Sequence, residues 1–144
     1  HFFGELEVEK AKELENLLSD AANLCPPLRI TTEGLSVLPA MNRPRVLYLA
    51  ARIEPSEPLT ILIDRIREIA AQLGAQTDAR PWKAHLTLAR LKLPYAPNLS
   101  SLPKPPMLSL YIDSFELLQS TLSPVGAIYS KIRRFALYTD TSTL

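Results

Sequence analysis

The stretch PWKAHLTLARLK, residues 81–92, alternates apolar with other residues as a strand does, and it carries an imidazole at His85, a hydroxyl at Thr87 and a guanidinium at Arg90. Residues i and i+2 of a strand point to the same face. His85, Thr87 and Ala89 then share one side and Leu86 and Leu88 the other, which predicts a half-buried strand over about Ala84 to Leu91 with one polar and one core face. Strict alternation puts Arg90 with the leucines, so it joins His85 and Thr87 only if the strand ends or bulges there. The chain has only two histidines, His1 and His85. An imidazole exchanges protons near neutral pH, a hydroxyl donates to a phosphate oxygen, and a guanidinium grips one through two parallel bonds. The same residues also read as an exposed strand in which Thr87 serves β propensity. H-x-T is too short to decide between these readings.

Working outward, the elements on either side alternate between helix and strand. ELEVEKAKELENLLSDAANL, residues 5–24, puts Val8, Ala11, Leu14, Leu18, Ala21 and Ala22 at helical spacing before Pro26 and Pro27 stop it. LRITTEGLSVLP and RPRVLYLAARI follow as two strands, bounded by prolines. From Pro58, LTILIDRIREIAAQLG lines up Leu59, Leu62, Ile63, Ile66, Ile69, Ala70 and Leu73 on one stripe, with Gly74 as its stop. After residue 92, PYAPNLSSLPKPPM reads as a surface loop, and LSLYIDSFELLQSTL and AIYSKIRRFALY as two closing strands. HFFGEL, at the start, reads as the end of a strand whose beginning lies upstream. Helices that interrupt strands and cover sheet faces give an α+β class.

Composition narrows the function. At 144 residues the expectation is a single domain over 1–144, with two lobes and an incomplete N-terminus. A net charge of +1 gives no overall basic field, so any RNA contact must be local. The single cysteine, Cys25, cannot form an internal disulfide and is expected to be a small buried apolar residue. No C-x-x-C or His-plus-carboxylate spacing marks a metal site, and no cofactor is expected. Apolar runs such as Val46 to Ala51 are far too short for a bilayer, and no signal-peptide pattern opens the sequence. A cytoplasmic monomer without membrane contact is the expectation.

The run ARPWKAHLTLAR, residues 79–90, resembles the second signature, H-x-T-x-x-R after an R-P-aromatic segment, of the two-histidine phosphoesterases. It is most similar to the RNA 2′,3′-cyclic phosphodiesterases, long called 2′-5′ RNA ligases. HFFGE looks like the tail of that family's first signature, H-x-T-L-x-F-x-G-E, and GLSVLPAMNRPRVLYL, DSFELLQSTLSPVGAIY and the final FAL resemble its framework in the same order. The likeness covers nearly all of the chain. Aligned on FFGE, the family's first catalytic histidine falls about four positions upstream of His1.

The resemblance implies a bilobed α+β fold whose two H-x-T strands line a central cleft. It also implies metal-free opening of a cyclic phosphodiester at the end of an RNA or nucleotide. One histidine would activate water and the other protonate the departing ribose oxygen, which suits groups with an unperturbed pKa near ~6.5. His85 takes the place of the proton acceptor, Thr87 that of the oxyanion-binding hydroxyl, and Arg90 would join them on the phosphate. Arg43, Arg45 and Arg80 form a scattered basic set that either approaches RNA phosphates or is simply solvated. Tyr129 and Ser120 lie in the family-like C-terminal segment, either bordering the cleft or packing. Trp82 either stacks on a base or packs.

Two functions compete. One is an RNA 2′,3′-cyclic phosphodiesterase that leaves a 2′-phosphate, with weak reversal as a 2′-5′ ligase. The other is a catalytically impaired RNA- or nucleotide-binding module of the same fold. An H-x-T encoded directly before His1 would favour the enzyme. An ATP-dependent ligase is disfavoured, because no nucleotidyl-lysine motif or phosphate-cradling loop is recognisable among 4 glycines.

Overall fold

The computed structural model describes residues 2–75, 81–92, 98–124 and 126–138. The chain divides into two compact units, one formed by His1–Leu28, Pro55–Arg80 and Ile112–Leu144, the other by Arg29–Glu54 and Pro81–Tyr111.

The first unit holds two helices and a two-stranded ribbon. Helix α1 (Val8–Ala22) buries Leu14, Leu18, Ala21 and Ala22, the apolar stripe of the sequence. Val8, expected on that stripe, opens the helix and stays 66% exposed; the fully packed part of the stripe begins only at Leu14. Helix α2 (Ser56–Gln72) starts two residues before Pro58, which sits in the first turn where its missing N–H costs nothing. Gly74, at φ 73°, supplies the left-handed turn that ends it. The two helices contact each other, and Leu14, Leu18, Leu62, Ile69, Ala70 and Leu73 are buried in this unit. Each such leucine or isoleucine contributes about 1.5–3 kcal/mol on burial. Cys25 is fully buried in this unit, as expected, and burial pushes its thiol pKa up.

The ribbon pairs β5 (Ser114–Ser123) with β6 (Gly126–Ala136) antiparallel. Stacked Phe115 and Phe135 mark its inner end, and β6 packs on α1. The single closing strand expected over residues 108–122 is in fact two. It breaks at Asp113, whose carbonyl accepts from the Leu137 N–H at 2.8 Å and whose carboxylate accepts from Ser114 and Arg134. The strand expected in HFFGEL does not form over its described part, where Gly4 takes φ 75° and interrupts extension.

The second unit is a four-stranded sheet in the order β3 (His85–Arg90), β2 (Val46–Glu54), β1 (Leu28–Leu38), β4 (Ser109–Ile112). β1–β2 and β2–β3 are antiparallel, and each ladder carries one register shift. In the first, between Thr32 and Leu35, β1 gains a residue. Thr32 next to that shift is buried. Its hydroxyl donates to the Pro106 carbonyl at 3.1 Å and accepts from the Leu108 N–H at 2.8 Å, which ties down the segment entering β4.

Candidate active site

The sequence puts His85, Thr87 and Arg90 on one strand, and the partner strand decides which of them meet. Directly opposed residues of an antiparallel pair share a face. Ala50 opposes His85, Tyr48 opposes Thr87, and Val46 opposes Arg90. Val46, Tyr48 and Ala50 alternate along β2, so His85, Thr87 and Arg90 share one face. The sequence spacing alone forbids this. The ladder permits it because Leu47 opposes Ala89 while Tyr48 opposes Thr87, leaving Leu88 as an extra residue in a bulge. The bulge that the Arg90 assignment required is therefore present.

The expected core face of this strand is not. β3 is exposed at every position, with Leu86 at 60% and Leu88 at 50%. As the edge strand of its sheet it has a neighbour on one side only, and alternation in sequence does not guarantee a layer to cover the leucines. What holds the face together is Tyr48, 1% exposed on the adjacent strand.

Around His85 the geometry is specific. Its Nδ1 lies 2.8 Å from the carbonyl oxygen of Lys83. A carbonyl only accepts, so Nδ1 carries the proton and donates, and in the neutral ring Nε2 keeps the lone pair. Nε2 meets no hydrogen-bond partner among the described residues. The Tyr48 ring stands edge-on to the imidazole, with centroids 5.6 Å apart and planes at 77°. Lys83 Nζ lies 5.5 Å from the Tyr48 ring centroid. Interaction with Lys83, and next with Ser36, lowers the Tyr48 phenol pKa against the opposing effect of burial. This face thus offers a ring nitrogen, a hydroxyl and the Arg90 cation, with a second cation, Lys83, from the segment just before β3.

The remaining candidates sort by unit. Arg43 is exposed in the β1–β2 connection, where its N–H bonds the Ala40 carbonyl. That connection runs beside the Arg90 end of β3, since the Leu91 N–H bonds the Arg45 carbonyl at 2.8 Å. Trp82 is 47% exposed in the segment before β3. Ser120 and Tyr129 belong to the first unit, where they oppose each other on the ribbon, and Tyr129 is 66% exposed. Arg80 and His1 lie outside the described residues. Sequence reasoning missed Tyr48 and Lys83. The one available signal was a phenol inside the otherwise apolar run VLYLAA, since a buried hydroxyl needs a polar partner. Among the described residues no group of three or more His, Cys, Asp or Glu side chains is placed to hold a metal ion. No described helix is long and apolar enough to cross a membrane.

This fold and this H-x-T-x-x-R face define an α+β phosphoesterase of the two-histidine type. The chain belongs to the 2′-5′ RNA ligase superfamily, whose family model matches residues 2–123. It is 31% identical over 137 residues to an RNA 2′,3′-cyclic phosphodiesterase of Archaeoglobus fulgidus, covering 93% of this chain and 75% of that protein. An RNA 2′,3′-cyclic phosphodiesterase of Aquifex aeolicus is 28% identical, over 94% of this chain and 74% of that protein. Among solved structures, E. coli LigT complexed with 3′-AMP superposes with a TM-score of 0.74 at 26% identity, over 96% of this chain and 75% of LigT. The expectations of an α+β fold and of an enzyme of the hydrolase class are borne out at the level of the family.

Proposed function

We propose that this protein hydrolyses RNA 2′,3′-cyclic phosphodiester ends to 2′-phosphates by metal-independent acid–base catalysis, with weak reversible 2′-5′ ligation when an RNA 5′-hydroxyl attacks the cyclic phosphate in place of water. His85 Nε2 takes the proton of the attacking water, the new P–O bond forms, and the bond from phosphorus to the ribose 3′ oxygen breaks. That oxygen leaves with a proton supplied by the second histidine that the family resemblance calls for. Thr87 donates to a phosphate oxygen. Arg90 grips the phosphate and stabilises the charge that grows on it. Arg43 and Arg80, with Tyr129 and Ser120, contact the rest of the RNA. The protein works as a cytoplasmic monomer, and Cys25 has no disulfide partner within these 144 residues.

One observation carries this reading: the Leu88 bulge that gathers acceptor, hydroxyl and guanidinium on one exposed face, with the His85 tautomer that leaves Nε2 unprotonated. The relatives named as RNA 2′,3′-cyclic phosphodiesterases support the same substrate class, as does the 3′-AMP held by LigT. The test is steady-state hydrolysis of a cyclic-phosphate-ended oligonucleotide by the full-length encoded protein and its His85→Ala variant, with and without a chelator. A proton-transfer group contributes about 10²- to 10⁴-fold, so the variant should lose turnover in that range while remaining folded, and the chelator should change nothing. A folded His85→Ala protein with unchanged turnover would refute the assignment and favour a nucleotide-binding module.

A further inference from the structure

An exposed edge strand is a poor mount for a residue that must present one nitrogen in one direction. β3 has no buried position of its own, so the orientation of the His85 ring has to come from its surroundings. Those surroundings form a closed circuit of three residues. The Lys83 carbonyl holds His85 Nδ1 at 2.8 Å, the Lys83 ammonium lies over the Tyr48 ring, and the Tyr48 ring stands edge-on to the imidazole. Tyr48 is the one member of the circuit anchored in the core, at 1% exposure, and it stands opposite Ser36 in the β1–β2 ladder.

We propose that Tyr48 and Lys83 are positioning residues for His85: the buried Tyr48 ring anchors the Lys83 side chain, whose ammonium lies over it, and the Lys83 carbonyl so placed fixes which ring nitrogen of His85 carries the proton. The inference rests on the reading of His85 as proton acceptor, because only there does the tautomer matter to turnover. The two constraints on the ring are complementary. A hydrogen bond at Nδ1 sets the tautomer and the swing of the side chain, and an edge-on aromatic contact sets the plane. Lys83 lies in the irregular segment 81–84 before β3, where no strand ladder fixes its carbonyl. Its side-chain anchorage on Tyr48 supplies that restraint. Thr87 and Arg90 of β3 share this face, and neither touches the circuit at Nδ1.

The experiment combines kinetics with a direct reading of the ring. Because His1 is the only other histidine within these 144 residues, the His85 imidazole can be assigned in two-bond ¹H–¹⁵N spectra by its disappearance in His85→Gln. At a pH where the ring is neutral, the wild type should show the Nδ1–H tautomer. Tyr48→Leu removes the aromatic ring that meets both Lys83 and His85. Lys83→Met keeps the length and removes the cation. Both should show a mixture of tautomers and a kcat reduced by about tenfold or more, within the up to ~10²-fold that a small misplacement costs, with KM little changed. Lys83→Arg, which restores a cation over the ring, should recover most of the loss.

If Tyr48→Leu and Lys83→Met keep the wild-type tautomer and kcat, the positioning role is overturned. Should Tyr48→Leu fail to fold, Lys83→Met decides alone, since Lys83 is exposed. A wild type that leaves the cyclic phosphate untouched, while the variants still mix tautomers, would sink the functional reading and support the positioning circuit.

Discussion

Arg90 stands opposite Val46 in the β2–β3 ladder, and that single pairing places its guanidinium on the face of His85 and Thr87 despite an odd spacing from both. The arginine is therefore available to a phosphate that those two residues address. Removing it should cost more than removing the neutral hydroxyl beside it. A hydrogen bond to a charged group is worth about 1.5–3 kcal/mol, a neutral one about 0.5–1.5. Arg90→Ala should accordingly lower kcat/KM by about 10- to 100-fold and Thr87→Ala by about 2- to 10-fold. Placing the arginine one residue earlier, as Ala89→Arg on an Arg90→Ala background, moves it to the opposite face and should not rescue. Recovery of activity in that double variant would contradict the face assignment.

Thr32 gives a test of the sheet that carries the site. Its hydroxyl is the partner of both the Pro106 carbonyl and the Leu108 N–H, so Thr32→Val keeps the shape and orphans two backbone groups. The expected loss is about 1–3 kcal/mol. Thr32→Ser keeps the hydroxyl and should lose much less. Chemical denaturation of the two variants against wild type measures the difference.

Asp113 predicts how the first unit responds to acid. The Ser114 hydroxyl first, and then the Arg134 guanidinium, hold its carboxyl below the ordinary value of 3.8. A carboxyl whose pKa is lower in the folded than in the unfolded protein stabilises the fold above the unfolded value, and loses that contribution as pH falls through the folded one. Asp113→Asn should therefore be less stable than wild type near neutral pH, with the gap closing below the usual carboxylate range. Because the residue is exposed, the effect is small and should shrink further in high salt. Denaturation midpoints of the pair at neutral and strongly acid pH test it; a gap that persists in acid would rule out the charge as its source.

How much of this was legible in the sequence depends on where each determinant lies. The α2 stripe from Leu59 to Leu73 was readable because helical periodicity is a local property, and the structure buries Leu62, Ile69, Ala70 and Leu73 as that period requires. The helix-and-strand order, and with it the α+β class, followed from the same local signals. The surroundings of β3 were not readable. Leu86 and Leu88 alternate correctly, but whether anything covers them depends on tertiary packing. The Leu88 bulge is a property of two strands in register, so one strand's sequence could state it only as a condition on Arg90. Asp113 sits inside an unbroken alternation, and its break is set by Arg134 and Leu137, more than twenty residues away. Tyr48 looked like a strand former because the partners that give it a role, Ser36 and Lys83, come from elsewhere in the chain.

The division of the chain also dictates an order of assembly. The backbone passes between the units after Leu28, Glu54, Arg80 and Tyr111, so neither unit is a continuous piece. During synthesis the sheet has all its strands in hand once Ile112 is made. The helical unit, although it contains the first helix to emerge, must wait for β6, which packs on α1, and for Tyr138, whose N–H bonds the Cys25 carbonyl. Contacts spanning so much of the chain form late, because the intervening loop must be closed first. A ribosome-stalled or C-terminally shortened chain would therefore carry an assembled sheet with His85 in place, while its helix pair still lacked the ribbon.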